Sequence, residues 1–262
     1  MAEGATGTGA PAASLDSAWR ALVTVALVSL VCSALVTTAV TVLRPIQERR
    51  ALADLQRGRV LAGAGLAGAE EELWPRVTPR VVELETGESV PGVDPEGYDF
   101  RAAAREPSAS VEIPSDLDLA QIGRRARRMP VYVVGGERGG VESVVFPVYG
   151  EGLYSTMYGY LALEPDLRTV RHISFYEQGE TPGLGGDIEE PAWQAGWRGK
   201  QVFDDTGEPV IEVTVEGAEG AYQVDGITGA TLTGDGVTGL VRYWMGPHGY
   251  GPTLERLREE LR

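Results

Sequence analysis

The chain is poor in the residues that build inorganic redox centres. It has one cysteine, Cys32, and two histidines, His172 and His248, among 262 residues. A single thiol cannot close an intramolecular disulfide, and with two distant imidazoles it cannot assemble a zinc or iron–sulfur site. No metal centre is expected, so any redox role must use an organic cofactor. Positive charge is also scarce: 23 Lys plus Arg stand against 38 Asp plus Glu, a net charge of −15. An acidic surface repels a phosphate backbone, which excludes a long basic groove for nucleic acid. No internal repeat recurs at a fixed period.

Among what is present, one uncharged run dominates. Residues 1–16 are rich in Gly, Ala, Thr and Ser, have little to bury, and read as a disordered tail. From Ala21 to Leu43 come 23 residues without a charge. At about 1.5 Å per residue this run reaches about 34 Å, enough to cross a hydrocarbon core of about 30 Å once. A transmembrane helix is therefore expected over 17–44, with Trp19, Arg20 and Arg44 at its edges. A cleaved signal peptide has an apolar region of only ~7–15 residues, so the run predicts a retained anchor. Cys32, in its middle, reads as a small hydrophobe. The span carries no Asp or Glu to bind a cation at membrane depth. Arg44, Arg49 and Arg50 outnumber Arg20, a count that puts the C-terminal part in the cytoplasm. That rule is weakest for long following domains.

Beyond the span, 45–68 has apolar residues near helical spacing and predicts a helical stalk. The remainder, 69–262, reads as one soluble domain with its core at about 120–262. Residues 69–115 are broken by prolines and predict loop, with at most a strand around Val81 to Leu84. From Pro130 onward, VYVV, ESVVFPVY, TMYGYLAL, VRHISFY, VIEVTVEG and YQVD are rich in Val, Ile and aromatics and separated by Gly or Pro. They predict strands of a largely antiparallel sheet. EEPAWQAGWRGK and VTGLVRYWM predict short helices, and PTLERLREEL sets Leu254, Leu257 and Leu261 on one face. The class is α+β: one N-terminal transmembrane helix, then a soluble domain built on an antiparallel sheet. Arg124, Arg125, Arg127 and Arg128 read as a solvated basic patch, or as a docking face for an acidic partner protein or anionic lipid.

Residues 225–233, DGITGATLT, place small residues and threonines between a strand and a helix. Successive N–H groups at a helix start favour a phosphate. The same pattern also suits a plain tight turn with threonine caps.

Thr228-Gly229-Ala230-Thr231-Leu232-Thr233 resembles the acceptor motif of proteins that carry FMN in phosphoester linkage to threonine. With GLYSTMYGYLAL at 152–163, ETPGLGG at 180–186 and YWMGPHGYGP at 243–252, the chain is similar to the family of C subunits of sodium-translocating NADH:quinone reductases. The resemblance implies an FMN-binding domain with covalent FMN on Thr233, installed by a separate flavin transferase because nothing near Thr233 in sequence activates its hydroxyl. Gly229, Ala230 and Thr231 would present the acceptor. Glu180, Thr181, Gly183 and Leu184 would face the flavin ring from one side, Tyr154 and Ser155 from the other. Where the family often has Ser, this chain has Gly234; where it often has Trp, it has Tyr154. The chain itself would be a single-electron relay in an enzyme complex, with no catalytic residue and no metal of its own, partnered by the other subunits that link NADH to ubiquinone. The resemblance further implies the cell inner membrane with the FMN domain in the periplasm, against the arginine count. His172 and His248 have no expected part in the electron path. Two other readings are the G subunit of an Rnf-type ferredoxin:NAD complex, and a membrane-anchored module that grips an anionic ligand without redox function.

Overall fold

The computed structural model describes residues 15–66, 68, 70–137, 139–215 and 217–261. The chain divides into two compact units, 1–52 and 53–262. Most of the expected tail at 1–16 lies outside the described residues.

Helix α1 runs Leu15–Gly63. In the first unit, its stretch Trp19–Thr38 is long and apolar enough to cross a membrane. Leu22, Val25, Leu27, Leu30, Val31 and Leu35 are all exposed there. A helix apolar on every side suits lipid rather than a water-facing surface. Two of its threonines hide their hydroxyls: Thr24 and Thr38 donate to the carbonyls of Arg20 and Ala34, four residues back.

The second unit begins in the last turns of α1. In chain order there follow α2 (Glu70–Leu73), β1 (Val77–Glu83), α3 (Phe100–Arg105), β2 (Ser110–Glu112), β3 (Arg124–Ala126), β4 (Arg128–Gly135), β5 (Val141–Glu151), β6 (Thr156–Leu163), β7 (Val170–Glu177), α4 (Pro191–Ala195), β8 (Glu212–Thr214), β9 (Gln223–Asp225), α5 (Thr231–Met245) and α6 (Gly251–Glu260). Five strands make one antiparallel sheet in the order β1-β4-β5-β6-β7.

Alternation along these strands sorts side chains to two buried faces. Val131, Val133, Val144, Phe146, Val148, Leu161 and Leu163 join the larger core beneath α5 and α6. Tyr132, Val134, Val145, Tyr160 and Ala162 point the other way and meet Val60, Leu61 and Ala64 from the end of α1. The expected stalk, 45–68, therefore ends as part of a core. On the larger side, the buried Trp244 of α5 lies 4.9 Å from the Tyr149 ring and donates from Nε1 to the Tyr149 carbonyl at 2.6 Å.

Residues 69–115 depart from the expected loop. They hold β1, which is an edge strand and so accommodates Pro79, together with α3 and β2. Asp99 caps α3, its carboxylate accepting from the N–H groups of Arg101 and Ala102 at 3.0 Å. The stretch VIEVTVEG yields only the three residues of β8, paired in parallel with β9. The run of arginines is not one patch. Arg124 bonds Ser110, Arg125 is buried with its guanidinium on the Ala126 carbonyl, and Arg128 pairs with Glu83. Glu142, at the start of the central β5, bonds Arg76 just before β1 and Arg171 on β7, the two edge strands.

Candidate functional site

Three segments meet at the N-terminal end of α5. The first is the motif itself. After β9, a turn closes by the Ala230 N–H on the Ile227 carbonyl at 3.0 Å, and the helix starts at Thr231. Ala230 is the N-cap residue and no side chain caps the helix, so the motif's threonines do not serve as caps. The first N–H groups of a helix have no intrahelical acceptor, and the macrodipole makes that end electropositive. Thr233 is the third helical residue and is only 2% exposed.

The second segment, ETPGLGG, leaves β7 and enters a 3-10 turn at Gly185–Glu189. Glu180, 4% exposed, accepts from the Thr233 hydroxyl at 2.7 Å. The same carboxylate accepts from the N–H groups of the third segment, the turn between β5 and β6: Leu153 at 3.2 Å, Tyr154 at 2.8 Å and Ser155 at 3.3 Å. One buried carboxylate thus ties all three together. Burial pushes its pKa up, but the bonds from Thr233 and the three amides outweigh that and hold it below the ordinary glutamate value. A carboxylate from 53 residues away in the chain thus stands beside the Thr233 hydroxyl.

Gly185 lies directly over the acceptor. A Cβ there would collide with the Thr233 hydroxyl and come within 3.0 Å of Glu180. The missing side chain of Gly185 is what allows this close approach to Thr233. Around the buried pair, the outside is apolar: Tyr154 is 69%, Leu232 58%, Leu153 47% and Leu184 41% exposed. Leu184 approaches the TGAT turn, 3.1 Å from where a Cβ of Gly229 would stand. Leu153 and Leu232 were not among the expected site residues, and only their position beside the motif residues could have marked them.

The other expected residues take these places. Ser155 accepts from the Gly179 N–H through its hydroxyl at 2.6 Å. Thr181 is exposed, and its carbonyl accepts from Leu184 and Gly186. Gly183 donates to Asp187 at 2.9 Å. Thr231 is exposed on the first turn of α5, and Ala230 is buried. Beside the motif, Thr228 to Thr231 line a cleft of about 140 Å³ with Val213 to Val215, smaller than the ~300 Å³ and more of an enclosing ligand pocket. His172 is half-buried on β7, its pKa lowered by burial and by Arg198 and Arg171, and His248 is exposed. Among the described residues, no group of three His, Cys, Asp or Glu could hold a metal ion.

This corner coincides with a family model. Residues 152–246, from the β5–β6 turn to the end of α5, match the FMN-binding domain. An FMN-binding domain behind an apolar N-terminal helix is the class that fold and site define. Over a longer span, the chain is 42% identical to the C subunit of the Na(+)-translocating NADH-quinone reductase of Neisseria meningitidis serogroup B, covering 93% of this chain and 95% of that one. It is 42% identical to the C subunit of the same reductase from Vibrio anguillarum, covering 95% and 98%. The crystal structure of Shewanella oneidensis NqrC matches with a TM-score of 0.76 at 34% identity, over 80% of this chain and 99% of that one. The chain belongs to the NqrC family, the C subunits of the Na(+)-translocating NADH-quinone reductases. Membership does not favour the Rnf-type reading.

Proposed function

We propose that this chain carries FMN esterified through its phosphate to Thr233 and relays single electrons between other subunits of a sodium-pumping NADH:quinone oxidoreductase. The observation that carries this reading is the Thr233 hydroxyl at the uncapped start of a 15-residue helix, ringed by exposed apolar side chains. Bound FMN supplies reversible one- and two-electron transfer, which no side chain of the corner offers.

The residues present suit such a group. The first amides of α5 and its dipole favour a phosphodiester anion. Leu184 and Leu232, with Tyr154 across from them, offer apolar surface to an isoalloxazine face. Glu180, Thr181 and Gly183 on one side and Ser155 on the other set the spacing of the two loops. Gly229, Ala230 and Thr231 present the acceptor to a flavin transferase. Because the neighbouring cleft is too small to enclose a flavin, a covalent tether rather than a deep pocket keeps it in place, and its edge stays open to donor and acceptor.

In this reading, 17–44 anchors the chain in the cell inner membrane, 45–68 leads out of it, and the domain of 69–262 lies in the periplasm. Ubiquinone is the final acceptor of the complex. A peptide mass map of protein from its native host tests the central point: the peptide holding Thr233 is heavier by one flavin mononucleotide, and Thr233→Ala removes that mass. A colourless wild type from that host sinks the reading. For topology, protease added to intact spheroplasts cleaves beyond Arg50, and protection there overturns the periplasmic assignment.

A further inference from the structure

The acceptor hydroxyl is covered. Thr233 is 2% exposed, Gly185 fills the space over its oxygen, and Glu180 takes its proton as a hydrogen bond at 2.7 Å. No phosphoryl group fits on that oxygen with the 180–186 segment in this place. The segment is nevertheless built to move as a piece. Its own bonds are local: Leu184 and Gly186 donate to the Thr181 carbonyl within it, and Gly183 donates to Asp187 just beyond it. Outward it presents Thr181, Pro182, Gly183 and Leu184 to solvent. Inward it is held chiefly by Glu180, on Thr233 and on the amides of 153–155, and by the Gly179 N–H on Ser155. Few buried apolar contacts and one dominant anchor characterise an element that opens locally.

We propose that residues 180–186 are a latch over the acceptor, closed in the unmodified chain by the Thr233–Glu180 hydrogen bond and released when that oxygen is esterified. The inference rests on Thr233 being the attachment site. Esterification forms an Oγ1–P bond and breaks a phosphoanhydride bond of a flavin-bearing pyrophosphate donor. A nucleoside monophosphate departs, the hydroxyl proton goes to water, and nothing is oxidised or reduced. The product oxygen has no hydrogen to donate. It also brings a phosphodiester anion to a buried carboxylate, and like charges in a poorly hydrated site repel strongly. The interaction that closed the latch becomes one that opens it, while the first turn of α5 retains the phosphate. Attachment is thereby hard to reverse, and the loop is free to lie against the ring.

The amides of Leu153, Tyr154 and Ser155 report on the latch, because Glu180 is their acceptor. Hydrogen exchange is measured on the full chain in detergent, made without flavin transferase. Wild type and Thr233→Ser, which keeps the hydroxyl, protect these amides. Thr233→Val exchanges them about tenfold faster or more, the loss expected for a hydrogen bond to a charged group, while amides of β5 stay protected. The flavin-loaded chain behaves like Thr233→Val. Equal protection in Thr233→Val and wild type overturns the latch. Failure to obtain any loaded chain overturns the attachment site instead, and the Val and Ser comparison still decides the latch. In a second measurement, Glu180→Gln acquires flavin mass at least as fast as wild type. Acquisition tenfold slower overturns the proposal, since Glu180 would then serve the transfer rather than restrain it.

Discussion

The sheet and the acceptor corner are organised by opposite rules. In the sheet, apolar side chains fill both faces; Tyr132, Phe146 and Leu161, and Trp244 packed on the sheet from α5, are almost wholly hidden. At the corner the order is inverted: Leu153, Tyr154, Leu184 and Leu232 stand outside and the carboxylate of Glu180 lies within. The first is held by area removed from water, which is spread over many residues and indifferent to proton concentration. The second is held by four hydrogen bonds converging on one charge, which a single chemical event can cancel.

Substitutions test how deep this contrast runs. Trp244→Ala removes a buried indole and its bond to the Tyr149 carbonyl, and a loss of about 3–5 kcal/mol in denaturant titration is expected; under about 1 kcal/mol, the core would be no firmer than the corner. Glu180→Ala strands three amides and a hydroxyl, at about 1–3 kcal/mol in the same titration. A cost matching that of Trp244 would mean the corner is part of the core.

Acid sharpens the point. Glu180 has a folded pKa below its unfolded one, so its contribution is fully present above the ordinary glutamate value of about 4.3 and is lost as pH falls through the folded value. The stability gap between wild type and Glu180→Gln therefore narrows on going from neutral pH to about pH 3. A gap independent of pH would show that the carboxylate is not held in its charged form. Smallest of all, Leu184→Ser changes stability by less than about 0.5 kcal/mol, since the side chain is already 41% exposed; a larger loss in thermal melts would identify Leu184 as packing rather than display.

The strands from Val131 to Tyr176 could be read from the chain because β-branched and aromatic runs between Gly and Pro have few other uses. Residues 69–115 hid their structure behind prolines. Pro79 sits on a sheet edge where a missing donor costs little, and Asp99 before Phe100 was a helix cap in plain view. The site residues were nameable by resemblance, but their arrangement was not. Glu180 and Thr233 are 53 residues apart, and no local period joins them. The early start of α5 was obscured by its glycines, which weaken a helix in isolation. Gly236 is needed there because a Cβ would press on the Glu151 carbonyl at 2.5 Å.

Glu142 carries a consequence of its own. Its two oxygens are engaged by Arg76 and Arg171, so both borders of the five-stranded sheet are fastened to one point at the centre. The borders are for that reason not independent: releasing either arginine alters the grip on the other.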